Sequence, residues 1–276
     1  MTAMQILFGV LLGRFVADNN TFSALATLGV LVLLLEVGLS TDLAELRAVG
    51  RASVSVAAVG IVTSFLGGAV VLAAFGYETH TVLFGGAALT ATSVGIAARL
   101  WRNPTVLGAA IVDDLVGLVV LTAAAAAVGG AVTPLNVVWR LNLVGAFAIG
   151  LAVARSRWHA GATHAVERIG VVLVPMFFIH VGMTLDLDRA GQKGWLLGAS
   201  LFGVAALAKM LAGAVAPEHR LRVGLGMLPR GEVTLVFAAL GLREAVIGQD
   251  VYAALVIVVV ATSLTAALAL RQMTLS

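Results

Sequence analysis

The sequence predicts an all-α polytopic membrane protein. Of its 276 residues, 61% are hydrophobic and only 11% are charged, against about 25% charged in soluble domains. Apolar runs of membrane-crossing length recur along the whole chain, as a polytopic bundle requires. Two of these runs carry polar, glycine-rich or proline-containing centres. Such centres persist at membrane depth only where they are buried in protein or line a cavity.

Ten apolar segments are expected, at about 4–13, 23–39, 53–75, 80–99, 105–130, 136–154, 169–185, 194–216, 221–242 and 249–270. The first is too short to span and reads as half a helix. Loops falling on one side hold ten arginines: Arg47, Arg51, Arg99, Arg102, Arg155, Arg157, Arg168, Arg220, Arg222 and Arg271. The other side holds four basic residues, Arg14, Arg189, Lys193 and Arg243. This asymmetry places the first side, and the C-terminus, in the cytoplasm. Arg140 lies near the end of an apolar segment and is expected to snorkel. No basic n-region precedes the first run, so no cleaved leader is expected.

The two interrupted segments occupy matching places. In 80–99 the centre reads Thr90-Ala91-Thr92-Ser93-Val94-Gly95, where hydroxyls and a glycine weaken the helix. In 221–242 it runs from Gly224 through Gly226, Pro229, Arg230 and Gly231 to Glu232. There proline removes a backbone donor. Segments 53–75, 80–99 and 105–130 form one triplet, and 194–216, 221–242 and 249–270 form another. The loop count runs them in opposite directions across the membrane. Interrupted helices at corresponding positions of inverted repeats point to a transporter binding site.

Charges inside the apolar runs mark the chemistry. Asp113 and Asp114 sit together in the run from Val106 to Val128. Each costs about 2.5–3.5 kcal/mol to insert at the centre of a membrane helix. Successive helical residues point about 100° apart, so the two carboxylates serve different neighbours. Lys209, in Leu207-Ala208-Lys209-Met210-Leu211, needs a partner at that depth, and the aspartates are the candidates. If one pairs with Lys209, the other is free to exchange a proton for a monovalent cation. Gly226, Pro229, Arg230, Gly231 and Glu232 are read as support for the second break. Arg230 and Glu232 are expected to pair locally or to neutralise broken helix ends. Glu36 is expected near the cytoplasmic interface.

Other chemistries are excluded. The chain has no cysteine, which removes thiol catalysis and cysteine-ligated metals. Its five histidines form no spaced metal pair, and no nucleotide-binding glycine motif occurs. The chain is not expected to be an enzyme or to use a cofactor. A net charge of +3 is explained by basic loops, so nucleic acid is not an expected partner.

Five stretches carry a family resemblance. They are Leu34–Leu39 (LLEVGL), Ala88–Gly95 (ALTATSVG), Val112–Leu115 (VDDL), Pro175–Met183 (PMFFIHVGM) and Gly226–Val233 (GMLPRGEV). In this order they resemble monovalent cation/proton antiporters of the bacterial sodium/proton exchanger superfamily, in the branch with paired aspartates. The resemblance implies an inverted-repeat antiporter fold with two crossed discontinuous helices and about nine or ten membrane segments. It implies an ion-binding core from about 53–130 and 194–270, moving against a panel from about 1–39 and 136–185. It further implies that Asp114 carries the cation and proton, that Asp113 pairs with Lys209, and that Thr92 and Ser93 belong to the unwound crossing. Sodium is the expected cation, ahead of potassium and lithium, and the setting is a bacterial inner membrane with its lipid.

The chain departs from that family by shortening. Roughly two helices are absent between Val128 and Leu143, and Ser40 stands where glutamate is common. The panel is therefore reduced, and the homodimer it usually builds is expected to be weakened. Two other readings compete: a potassium efflux protein of the glutathione-regulated type, and a truncated membrane protein that does not transport.

Overall fold

The computed structural model describes residues 2–16, 19–40, 50–93, 103–127 and 145–275. Among them the secondary structure is helical throughout. The helices are α1 (Thr2–Gly13), α2 (Asn20–Ser40), α3 (Arg51–Ala74), α4 (Thr79–Ala88), α5 (Pro104–Ala127), α6 (His159–Met183), α7 (Leu187–Ala214), α8 (Arg220–Met227), α9 (Glu232–Arg243) and α10 (Gln249–Leu275). A further helical stretch runs over 145–153. Six helical spans among the described residues are long and apolar enough to cross a membrane, with α8 and α9 together making one of them. The chain is an integral membrane protein. Many of its exposed side chains are large and apolar, such as Val62, Leu66 and Val70 on α3, as a lipid-facing surface requires.

The chain divides into two compact units. One comprises Met1–Ala44 and Gly129–Leu185, the other Glu45–Val128 and Asp186–Ser276. In the first, α6 packs against both α1 and α2. The helices approach closely because glycine faces backbone. A methyl group at Gly9 would lie 2.1 Å from the Ile179 carbonyl oxygen, and one at Gly182 would lie 2.1 Å from that of Ile6. Small residues at membrane helix contacts permit this approach.

In the second unit α7 lies against both α3 and α10, with α4 and α5 on α3 and α9 on α10. Local sequence sets the ends. Gly76 closes α3 at φ +81°, with the Tyr77 amide donating to the Leu72 carbonyl, a left-handed glycine cap. Asp186 caps α7 by accepting from the Arg189 amide. Phe84 of α4 meets Phe237 of α9 edge to face, 5.6 Å between centroids.

Several expected boundaries move. The segment expected at 169–185 is a helix beginning at His159, so Arg168 lies in a helix and not in a loop. Arg189 and Lys193 fall in the first turns of α7 and Arg271 near the end of α10. The reason is length. A membrane helix continues through the headgroup layer, where polar residues are at home, beyond the apolar run that marks the hydrocarbon. The expectations for Arg47, Gly95, Arg99, Arg102 and Arg140, and for the helices missing after Val128, lie outside the described residues. So does the second half of the 80–99 segment, beyond Ser93.

Candidate functional site

Among the described residues the first segment leaves its helix at Ala88, the second is interrupted, and the two places touch. Helix α4 ends at Ala88. The Thr90 hydroxyl donates back to the Ala87 carbonyl, and Ala91–Ser93 are non-helical. The second break is Leu228–Gly231, between α8 and α9. Gly226 lies inside α8, so this break is narrower than the glycine spacing suggested. The Ser93 amide donates to the Pro229 carbonyl at 2.9 Å. The Thr92 hydroxyl lies 3.3 Å from the Met227 carbonyl. The Arg230 guanidinium donates to the Ala91 carbonyl at 2.7 Å. Each break thus answers backbone groups that the other leaves open, as buried polar backbone demands.

Gly231 makes this approach possible. A methyl group there would lie 2.6 Å from the Ser93 Cβ and Oγ. Gly231→Ala is therefore expected to push the breaks apart and to lower stability by about 1–3 kcal/mol, the usual penalty of overpacking. Unfolding of the purified variant in detergent checks this, and a parent-like midpoint would contradict it.

Lys209 and Asp113 form the buried centre. Both are fully buried, and Lys209 Nζ lies 2.5 Å from Asp113 Oδ2. The same oxygen accepts from the Thr92 hydroxyl at 2.7 Å. Lys209 Nζ also reaches to 3.5 Å from the Thr90 carbonyl. Its head fits beside α3 because Gly60 stands there; a methyl group at that position would lie 3.0 Å from Nζ. Val56, Ala57, Ala109, Ala110 and Ala212 belong to a fully buried apolar cluster on the same helices. In such surroundings an unpaired charge is costly and a paired, hydrogen-bonded one is tolerated.

Asp114 is left aside from this pair. It is partly exposed, while Asp113 is buried, in keeping with the 100° step between them. Its Oδ1 is buried and accepts no hydrogen bond, as is also true of Asp113 Oδ1. Among the described residues no three acidic, histidine or cysteine side chains gather so as to hold a metal ion.

The expected Arg230–Glu232 pair does not form. Arg230, fully buried, directs NH1 to Ala91 and NH2 to the Ser64 hydroxyl at 3.0 Å. Glu232 instead accepts from the Ser93 hydroxyl at 3.3 Å. The guanidinium answers carbonyls at the frayed end of α4, the other role expected of it. Thr92 serves Asp113 and Met227; it does not turn to Asp114. Glu36 packs against α6 at Gly170, where a methyl group would lie 3.3 Å from Glu36 Oε2.

Sequence reasoning missed the hydroxyls that hold Arg230. Besides Ser64 on α3, Thr262 on α10 accepts from the Arg230 amide at 3.1 Å, and Ser263 donates to its carbonyl at 3.0 Å. Their signal was present as hydroxyls within apolar runs, Thr63-Ser64 and Thr262-Ser263, but threonine and serine in membrane helices also bond their own preceding turn.

Comparison with known proteins shows the family and the fold of the chain. The family model described as "Sodium/hydrogen exchanger, transmembrane" matches residues 1–141 and 141–275. The high-affinity Na(+)/H(+) antiporter NhaS3 of Synechocystis is 28% identical, with 91% of this chain and 71% of that protein covered. The Na(+)/H(+)-K(+) antiporter GerN of Bacillus cereus is 27% identical, covering 94% and 86%. The solved sodium proton antiporter MjNhaP1 of Methanocaldococcus jannaschii shares the fold, with a TM-score of 0.63 at 13% identity over 97% of this chain and 89% of that one. The NhaS3 alignment runs over 328 positions. Since 91% of this chain is about 251 residues, some 77 positions have no counterpart here. The family match is in two parts that meet at residue 141. On the match over nearly its whole length, the chain belongs to the sodium/hydrogen exchanger family.

Proposed function

We propose that this chain is a secondary antiporter that exchanges protons for a monovalent cation, sodium first among them, by alternating access in a bacterial inner membrane. The observation that carries the reading is the division of labour between the two aspartates. Asp113 is held through Oδ2 by Lys209 and Thr92, whereas Asp114 stands outside that pair and, like Asp113, keeps a buried Oδ1 that accepts no hydrogen bond. Three residues further along α5, Gly117 meets Ala91 of the first unwound stretch, and in this reading the carbonyls there and the Ser93 hydroxyl are the hard oxygen ligands suited to a small alkali cation. Asp114 supplies the charge, and a proton on the same carboxylate expels the cation. No cofactor is invoked; the cation is substrate.

In this reading the unit of 45–128 and 186–276 is the ion-binding core, built on two discontinuous helices that cross. The other unit is a reduced panel, and the C-terminus lies in the cytoplasm. Proton flux in proteoliposomes on adding sodium, potassium or lithium tests the activity. Sodium-driven flux is expected, and its absence with all three ions would favour a membrane protein that does not transport.

The resemblance makes the panel the part that builds a homodimer, and the helices expected to be missing between Val128 and Leu143 belong to it. Two-fold association is therefore expected to be weak, with mainly monomer in mild detergent by light scattering. A stable dimer burying a large interface would contradict this.

A further inference from the structure

Glu232 stands in the first turn of α9, where an acidic side chain is ordinarily explained by the helix dipole. Its surroundings support a second task. Its Oε2 accepts from the Ser93 hydroxyl, so it faces the first break and not only its own helix end. Helix α5 packs against this place. A methyl group at Gly117 would lie 3.4 Å from Ala91 Cβ and 3.6 Å from Val233 Cγ1, so Gly117 meets the first break and the residue after Glu232 together. Asp114 precedes Gly117 by three residues, on the same face of α5.

Both Asp114 and Glu232 are partly exposed among neighbours that are largely buried. Two oxygens at this place, Asp114 Oδ1 and the fully buried Asp113 Oδ1, accept no hydrogen bond. Carboxylates that share a site repel each other unless a cation or proton lies between them. Lys209 does not relieve Asp114 in this way, because its ammonium is bound to Asp113. Arg230 does not either, because NH1 and NH2 are directed to Ala91 and Ser64.

We infer that Glu232 is a second carboxylate ligand of the transported cation, sharing it with Asp114 across the junction of the two breaks, with the Ser93 hydroxyl between them. The inference rests on the antiport reading. It gives the occupied site two acidic ligands from different halves of the core, so that cation binding links α5 to α9. It also sets selectivity, since two carboxylates favour a small, strongly hydrated alkali cation over a larger one.

The test is sodium-dependent stabilisation of purified protein at pH 8. The unfolding midpoint is followed against sodium chloride, with choline chloride holding ionic strength constant. A ligand that binds only the folded state raises the midpoint with its concentration. In Glu232→Gln the sodium-free midpoint is expected to stay near the parent's, while half-saturating sodium rises about tenfold or more. A purely structural role would lower the sodium-free midpoint and leave half-saturation alone. Half-saturation within about twofold of the parent's would overturn the assignment. If Glu232→Gln does not fold, Glu232→Asp keeps the charge at the helix end and retracts the carboxylate. Weakened sodium response in that variant supports the proposal, and a parent-like response overturns it. A parent with no sodium response would sink the antiport reading itself. A parent response lost in Asp114→Asn but untouched in Glu232→Gln would sink only this one.

Discussion

Asp114→Asn is expected to fold and to show no cation-dependent proton flux. Asparagine keeps the shape of the side chain and removes both the charge and the exchangeable proton. A unit charge about 4 Å from a cation contributes about 4 kcal/mol at the effective dielectric typical of proteins. That is close to a thousandfold in affinity, enough to take a working site out of the physiological range. The Asp114 Oδ1 atom accepts no hydrogen bond, so little structure depends on its charge. Asp113→Asn differs, because the carboxylate it loses is the one bound to Lys209 and Thr92. Some exchange is expected to survive there, at reduced stability. Both variants, reconstituted beside the parent and followed with a pH-sensitive dye, check this. Normal sodium-driven flux in Asp114→Asn would remove Asp114 from the mechanism.

Lys209→Met is expected to lose about 3–5 kcal/mol of stability, the usual consequence of stripping one partner from a buried ion pair. Lys209 and Asp113 are both fully buried, so no water replaces the lost ammonium. The loss comes from the orphaned carboxylate rather than from the missing attraction. The double variant Asp113→Asn with Lys209→Met is therefore expected to recover most of it, since two neutral groups leave no charge uncompensated. Unfolding of the three variants in detergent measures both effects, and additive losses would show that the two residues act separately. If the double variant transports, the charge moved per cycle is expected to differ from the parent's, read as transport current.

The core of this account was legible because charge is rare in the membrane. Asp113, Asp114 and Lys209 stand out in apolar runs, and a buried ammonium has few possible partners. The breaks were legible for a similar reason: proline, glycine and clustered hydroxyls weaken a helix whatever surrounds it. Less local features were hidden. Arg230 reads as a partner for Glu232 two residues away, yet it stands in the non-helical break while Glu232 opens α9. The guanidinium crosses to the Ala91 carbonyl of the other half, a pairing set by tertiary approach. The narrower second break was hidden because a glycine lowers helix propensity without ending a helix, as Gly226 shows. The early start of α6 at His159 was hidden because hydropathy marks the hydrocarbon and not the helix.

The most direct test of the central claim, that one carboxylate serves cation and proton in turn, is the apparent sodium KM of the parent protein in proteoliposomes between pH 6 and 9. Competition at Asp114 predicts that KM rises as pH falls, approaching about tenfold per pH unit where a single proton competes, with curvature from coupling to Asp113. A sodium KM that stays constant across this range, with flux present, would contradict the shared-carboxylate mechanism.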